Sequence, residues 1–182
     1  MALYHEEFAA HGHQVILRNA EADDAQSMID LVNALDNETT FLAREPGEFT
    51  IPLDKEQELL SQWKESDTTL FIVAQVDGAI VGSCQASCPG RKRYCHKATV
   101  AIALREAYCG LGIGRRMLQT LINWAKEARL SHLDLTVDCV NTRAVKLYTS
   151  LGFQVSGRLY RDKKMADGSY RDSYVMYLPL DV

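Results

Sequence analysis

Residues 99–104, Thr-Val-Ala-Ile-Ala-Leu, form an apolar run that reads as a buried strand. Downstream, Ile113, Met117, Leu118, Leu121, Ile122 and Ala125 recur at helical spacing on one face. Gly110, Gly112 and Gly114 lie between the two patterns. A chain that turns from strand to helix there sets unpaired N–H groups, at the positive end of the helix dipole, beside the strand end. Glycines let a bulky anion approach with no Cβ in the way. This is the chemistry of phosphate or pyrophosphate binding, with the N–H groups of Gly110, Leu111, Gly112, Ile113, Gly114 and Arg115 as donors. Close packing of helix on strand is the other use of such glycines.

The spacing narrows the ligand. A Walker loop ends Gly-Lys-Ser/Thr, whereas Gly114 is followed by Arg115-Arg116. A dinucleotide fingerprint runs G-x-G-x-x-G, whereas here the third glycine comes one residue early, giving G-x-G-x-G. A second segment is Asn141-Thr-Arg-Ala-Val-Lys-Leu-Tyr-Thr-Ser-Leu-Gly-Phe153. Ala144, Val145, Leu147, Tyr148 and Leu151 predict a short amphipathic helix, with Asn141 as N-cap and Gly152 as its left-handed stop. Tyr148 by itself reads as a core aromatic with its hydroxyl at the edge.

Taken in order, the two segments resemble the GNAT superfamily of acyl-CoA-dependent N-acetyltransferases. That family carries Arg/Gln-x-x-Gly-x-Gly/Ala after its fourth strand. A helix, a strand and a segment like Asn-x-x-Ala-x-x-Leu-Tyr-x-x-Leu-Gly-Phe follow. The second segment matches at every one of these positions; in the first, Cys109 stands where Arg or Gln is usual. The resemblance spans about residues 15–180. Its ending, with Gly157-Arg-Leu-Tyr-Arg161 and Asp167-Gly-Ser-Tyr-Arg-Asp172, is similar to the branch with ribosomal-protein alanine, spermidine and phosphinothricin acetyltransferases.

The resemblance implies an α+β fold with a mixed, mostly antiparallel, splayed sheet of about seven strands and about four flanking helices. It implies acetyl-CoA as co-substrate and an amine as acceptor. The backbone of Ile102, Ala103 and Leu104 would pair with the pantetheine amides. Cys109 would flank the phosphates, Arg115 would add charge there or stand solvated, and Asn141 and Tyr148 would border the cofactor. Acyl transfer needs a neutral amine, a proton acceptor and a proton for the departing thiolate. Tyr148 is the residue this family would use as general acid. Glu38, between the first two helices where the family shapes its acceptor pocket, is favoured as base over a water-relayed path. Glu45 and Glu48 are its neighbours there, and Glu106 and His96 read as ordinary turn and strand-end residues. The alternative is a catalytically weak acyl-CoA-binding or sensory module on the same fold.

Composition fits one globular domain over residues 1–182, with 47% hydrophobic and 24% charged residues. A net charge of −4 argues against nucleic acid as partner, and Arg91-Lys-Arg93 is too short to offset it. Residues 1–13 are expected to be a flexible leader; lacking an apolar core, they are no signal peptide. No apolar run has the length of a membrane span, so a cytoplasmic protein is expected, with a homodimer left open. Five cysteines without a C-x-x-C pair argue for free thiols and no metal.

The remaining pattern predicts a strand at 14–18, a helix through Ala25, Met28, Ile29, Val32 and Leu35, and a capping box at Asp54-x-x-Gln57. Strands at 70–76 and 79–88 flank Asp77-Gly78, another strand covers 133–137, and a last hairpin turns near Asp167-Gly168.

Overall fold

A computed structural model describes residues 3–180. Eight strands form one sheet in the order β1-β2-β3-β4-β5-β6-β8-β7. They are β1 His5–Ala10, β2 His13–Asn19, β3 Thr69–Val76, β4 Ala79–Ser87, β5 Lys97–Leu104, β6 His132–Asp138, β7 Gln154–Lys164 and β8 Tyr170–Pro179. The helices are α1 Ala25–Glu38, α2 Leu53–Glu65, α3 Ile113–Glu127 and α4 Thr142–Ser150. All strand pairs are antiparallel except β5 with β6. None of the described helices is long and apolar enough to cross a membrane.

Strand periodicity divides the interior into two layers. On β3, Leu70, Ile72, Ala74 and Val76 face one core with α3 and Tyr148 of α4. Val73 and Phe71 face the other, with Met28, Leu31 and Leu35 of α1 and Leu60 of α2. The amphipathic face of α3 is buried throughout: Ile113, Met117, Leu121 and Ala125 have no exposed surface.

Two expectations need correction. The segment expected to be a flexible leader contributes β1, which pairs with β2 from His5↔Arg18 to Ala10↔His13. The loop between them is His11-Gly12, both with positive φ, as a two-residue hairpin turn requires. Phe8 and Tyr4 then pack on the core, which raises the count to eight strands. Of the leader, Met1 and Ala2 lie outside the described residues. The capping box at Asp54 does not form: α2 starts two residues earlier, at Leu53, with Pro52 as its N-cap. Pro52 supplies the extended entry angle, and the Asp54 side chain is already inside the first turn.

The feature that positions the site is a parting of the sheet. β5 and β6 pair only over Lys97↔His132, Ala98↔Leu133 and Thr99↔Asp134. Beyond this, β5 continues beside β4, from Thr99↔Ser87 to Leu104↔Gly82. β6 continues beside β8 as far as Asp138↔Ser173. A wedge opens between the two strand ends.

Candidate active site

The wedge has polar walls because of strand alternation. The Arg105 N–H donates to the Val81 carbonyl at 2.9 Å, so Arg105 directs its backbone toward β4. Alternation then turns Ala103 and Ala101 the same way, and Val100, Ile102 and Leu104 toward the gap. Their N–H and C=O groups line an edge inside the sheet, suited to an extended amide chain.

At the end of β5 a 3₁₀ turn, Glu106–Tyr108, leads into the glycine segment. Gly112 caps α3 with φ of 83° and ψ of −9°, a left-handed conformation that a Cβ disfavours. The first helical hydrogen bond runs from the Arg116 N–H to the Gly112 carbonyl. Among the described residues the N–H groups of 110–115 have no hydrogen-bond partner, which makes six consecutive orphan donors at one helix N-terminus. Gly114 lies inside the first turn, where a Cβ would stand 3.6 Å from Leu147 Cδ2, so this glycine brings α3 close to α4.

A cleft of about 1040 Å³ joins these elements. Ile102, Ala103, Leu104, Cys109, Gly110, Gly112, Gly114, Arg115, Asn141 and Tyr148 all line it. Leu111 and Ile113 do not: Ile113 is fully buried and Leu111 packs on the core. The Cys109 thiol folds back toward the carbonyls of Leu104 and Arg105, at 3.9 and 3.6 Å. Arg115 is exposed, yet its guanidinium donates to Ser150 Oγ at 2.7 Å, which ties α3 to α4. Asn141 caps α4 by accepting the Ala144 N–H at 3.1 Å.

Tyr148 is 8% exposed, its ring 5.7 Å from that of Phe153. Burial pushes its hydroxyl pKa up to about 12, so it stays protonated at neutral pH. Among the described residues the hydroxyl has no hydrogen-bond partner, while every fully buried side-chain oxygen and nitrogen has one. The hydroxyl therefore keeps contact with solvent, at the wall of the cleft.

Glu38, at the C-terminus of α1, also lines the cleft. Its Oε1 accepts from Arg105 Nε and Nη2 at 2.8 and 2.6 Å, and its Oε2 accepts the Glu106 N–H at 3.0 Å. The Arg105 guanidinium holds its carboxyl below the usual range. A carboxylate with these partners has a lowered affinity for another proton. The bonds pin the end of α1 to the turn that leads into the glycine segment. Sequence reasoning missed Arg105, because nothing local marks a partner 67 residues away.

Beside the cleft lies a recess of about 580 Å³, lined by residues 36–46 and 162–165. The two share Glu38, Thr39, Phe41 and Leu42. Among the described residues no three His, Cys, Asp or Glu side chains converge as a metal site would require.

A sequence profile of the acetyltransferase (GNAT) family matches residues 21–153. An L-amino acid N-acetyltransferase, AaaT of Escherichia coli K12, is 32% identical over 111 residues. That match takes in 58% of this chain and 65% of the relative, so less than two thirds of the relative's length is spanned. An N-alpha-acetyltransferase of Sulfurisphaera tokodaii is 30% identical over 94% of this chain and 97% of its own. The crystal structure of a GNAT-family acetyltransferase from Streptococcus pneumoniae superposes with a TM-score of 0.87 at 28% identity, covering 91% of this chain and 99% of that one.

Proposed function

The chain belongs to the GNAT acetyltransferase family, and from that premise we propose that it transfers an acetyl group from acetyl-CoA to a primary amine by direct attack. The observation that carries this reading is the row of orphan N–H groups over 110–115, in which Gly110, Gly112, Gly114 and Arg115 line the same cleft as Tyr148.

The pyrophosphate sits on the N–H groups of 110–115, favoured by the helix dipole, with Arg115 beside it. The pantetheine runs along the free edge of Ile102 and Leu104 as an added strand would. That course carries the thioester toward Tyr148. The amine enters from the side of α1 and attacks the carbonyl, its C–N bond forming as the C–S bond breaks. Tyr148 gives its proton to the departing sulfur and regains one from solvent. The proton of the amine leaves through water, and Glu38 serves as a positioning residue through Arg105.

The relatives' names, L-amino acid N-acetyltransferase and N-alpha-acetyltransferase, both point to an amine as acceptor. The weak acyl-CoA-binding alternative shares the phosphate site but has no need of a protonated phenol at the cleft. The test is release of free CoA from acetyl-CoA with a panel of amines. Turnover above the hydrolytic background with at least one amine supports the enzyme. Tight acetyl-CoA binding with no turnover of any amine supports the binding module.

A further inference from the structure

The loop after α1 borders the cleft without regular structure of its own. Residues 39–46 form neither helix nor strand, so no ladder of backbone bonds fixes them. Thr39, Phe41 and Leu42 nonetheless line both the cleft and the recess beside it, and their placement sets the wall between the two. Leu42 packs on the core under α1 and α2. Arg44 grips Asp36 with two bonds, at 2.9 and 3.2 Å. That link joins the loop to its own helix and does not tie it to the sheet.

The ties to the sheet come from the last hairpin. Lys163 Nζ on β7 donates to the Phe41 carbonyl at 3.0 Å, and Arg171 Nη1 on β8 donates to Thr40 Oγ1 at 3.0 Å. The Arg171 guanidinium also stands 5.7 Å from the centre of the Phe41 ring. Among the described residues, these two cations make every side-chain hydrogen bond that reaches 39–46 from a strand. Lys163 and Arg171 are register partners, so the hairpin presents them side by side. Their side chains are only 21% and 27% exposed, which leaves water little room to screen their mutual repulsion.

Asp138, the last residue of β6, offsets that repulsion. Its side chain has no exposed surface, and its Oδ2 lies 2.8 Å from Lys163 Nζ and 3.4 Å from Arg171 Nη1. Burial favours the protonated acid, but Lys163 and the Val140 N–H outweigh it and hold the carboxyl below its usual range. The carboxylate is therefore charged at neutral pH. On its other side, Oδ1 accepts the Val140 N–H at 3.1 Å, and the Asp138 carbonyl accepts the Asn141 N–H at 3.0 Å. Asn141 caps α4, the helix of Tyr148. One residue thus holds both the turn that starts α4 and the two cations that grip the loop.

We propose that Asp138 is a positioning residue for the acceptor: through Lys163 and Arg171 it sets the wall of Thr39, Phe41 and Leu42 relative to the helix that carries Tyr148. This rests on the acetyltransferase reading and adds to it a residue remote from the reacting atoms. Neither Asp138 nor Arg171 lines the cleft or the recess, so an effect of either on the acceptor must pass through the loop.

The test uses that fact. Asp138→Asn keeps an oxygen for the Val140 N–H and removes the charge that the cations share. Arg171→Met cuts one tie and leaves Asp138 paired with Lys163, so it carries the test if Asp138→Asn does not fold. With an amine identified by the acceptor panel, each variant should raise acceptor KM at least about fivefold, as misplaced binding groups do. Acetyl-CoA affinity, measured by calorimetry, should stay within about twofold, since the loop lies away from the glycine segment. The double variant should show no more than the larger single effect, because the two residues act along one path. Unchanged acceptor KM in the folded variants would overturn the proposal and leave the transferase reading intact. So would effects that multiply, or an equal loss of acetyl-CoA affinity. Should no amine be turned over, the transferase reading fails, and chymotrypsin cleavage after Phe41 in the acetyl-CoA complex decides the role of Asp138. Cleavage there at least about threefold faster in both variants, with other sites unchanged, supports it. An unchanged rate at Phe41 overturns it.

Discussion

Replacing Tyr148 by Phe removes one oxygen and keeps the ring against Phe153. The structure fixes what this should do to stability. The hydroxyl has no hydrogen-bond partner among the described residues, so the substitution breaks no internal bond and uncovers no buried partner. The folding free energy should change by less than about 1 kcal/mol. Acetyl-CoA affinity should be nearly intact, since the proposed phosphate site is the unpartnered backbone N–H groups at the start of α3. The rate is another matter. A positioned general acid supplies about a hundred- to ten-thousand-fold, so the chemical step should slow by at least about a hundredfold. At about 1.4 kcal/mol per factor of ten, this is about 2.7 kcal/mol of transition-state stabilisation, well above the expected stability change. Single-turnover acetyl transfer with a confirmed amine measures the step directly, and urea unfolding measures the stability. A folded Tyr148→Phe protein with the wild-type chemical rate would refute the general-acid role and leave water as the proton source.

Three further outcomes are expected. Gly112→Val should lower CoA affinity by more than about tenfold in calorimetry and cost about 1–3 kcal/mol of stability through its positive φ, since an added Cβ meets no atom within 4 Å; unchanged affinity would place the phosphates elsewhere. Cys109→Arg should keep or tighten CoA binding, because the thiol makes only long contacts and the new charge stands near the phosphates; lost affinity in a folded variant would give the thiol a packing role. Glu38→Gln should retain the acidic limb of the kcat/KM profile while raising acceptor KM, and loss of that limb would restore Glu38 as base. Because the folded pKa of Glu38 is lowered, its contribution to stability is present above the unfolded value near about 4.3 and is lost as pH falls through the folded value. Urea unfolding should therefore find Glu38→Gln less stable than wild type at pH 7, with the difference shrinking in acid.

Much of the β5, α3 and α4 wall of the cleft was legible in the chain, because the signals there are local. The apolar run of β5, the glycines and the period of α3 lie within a single stretch, and Asn141 caps the helix that its spacing marks. β1 was missed because His11-Gly12 lacks the Asn or Asp that usually announces such a turn. The α1 side of the cleft was hidden for a different reason. Glu38 finds Arg105 across 67 residues, and Lys163 of β7 meets Asp138 of β6 and the Phe41 carbonyl between α1 and α2. Periodicity reports which face of an element is buried, and it does not report which charge waits on the other side.

The short pairing of β5 with β6 has a consequence for association. A sheet ordinarily presents its unsatisfied backbone at its rim, where any passing extended chain can add to it. Here one such edge lies in the interior of the sheet, between strands that part after three rungs, with α4 and the end of α1 along the cleft. A slim ligand with a few amide groups can reach those backbone groups, whereas a full strand from another molecule would first have to force the walls apart. The protein thus keeps a sticky edge available for recognition while shielding it from the aggregation that the same edge would invite at its border.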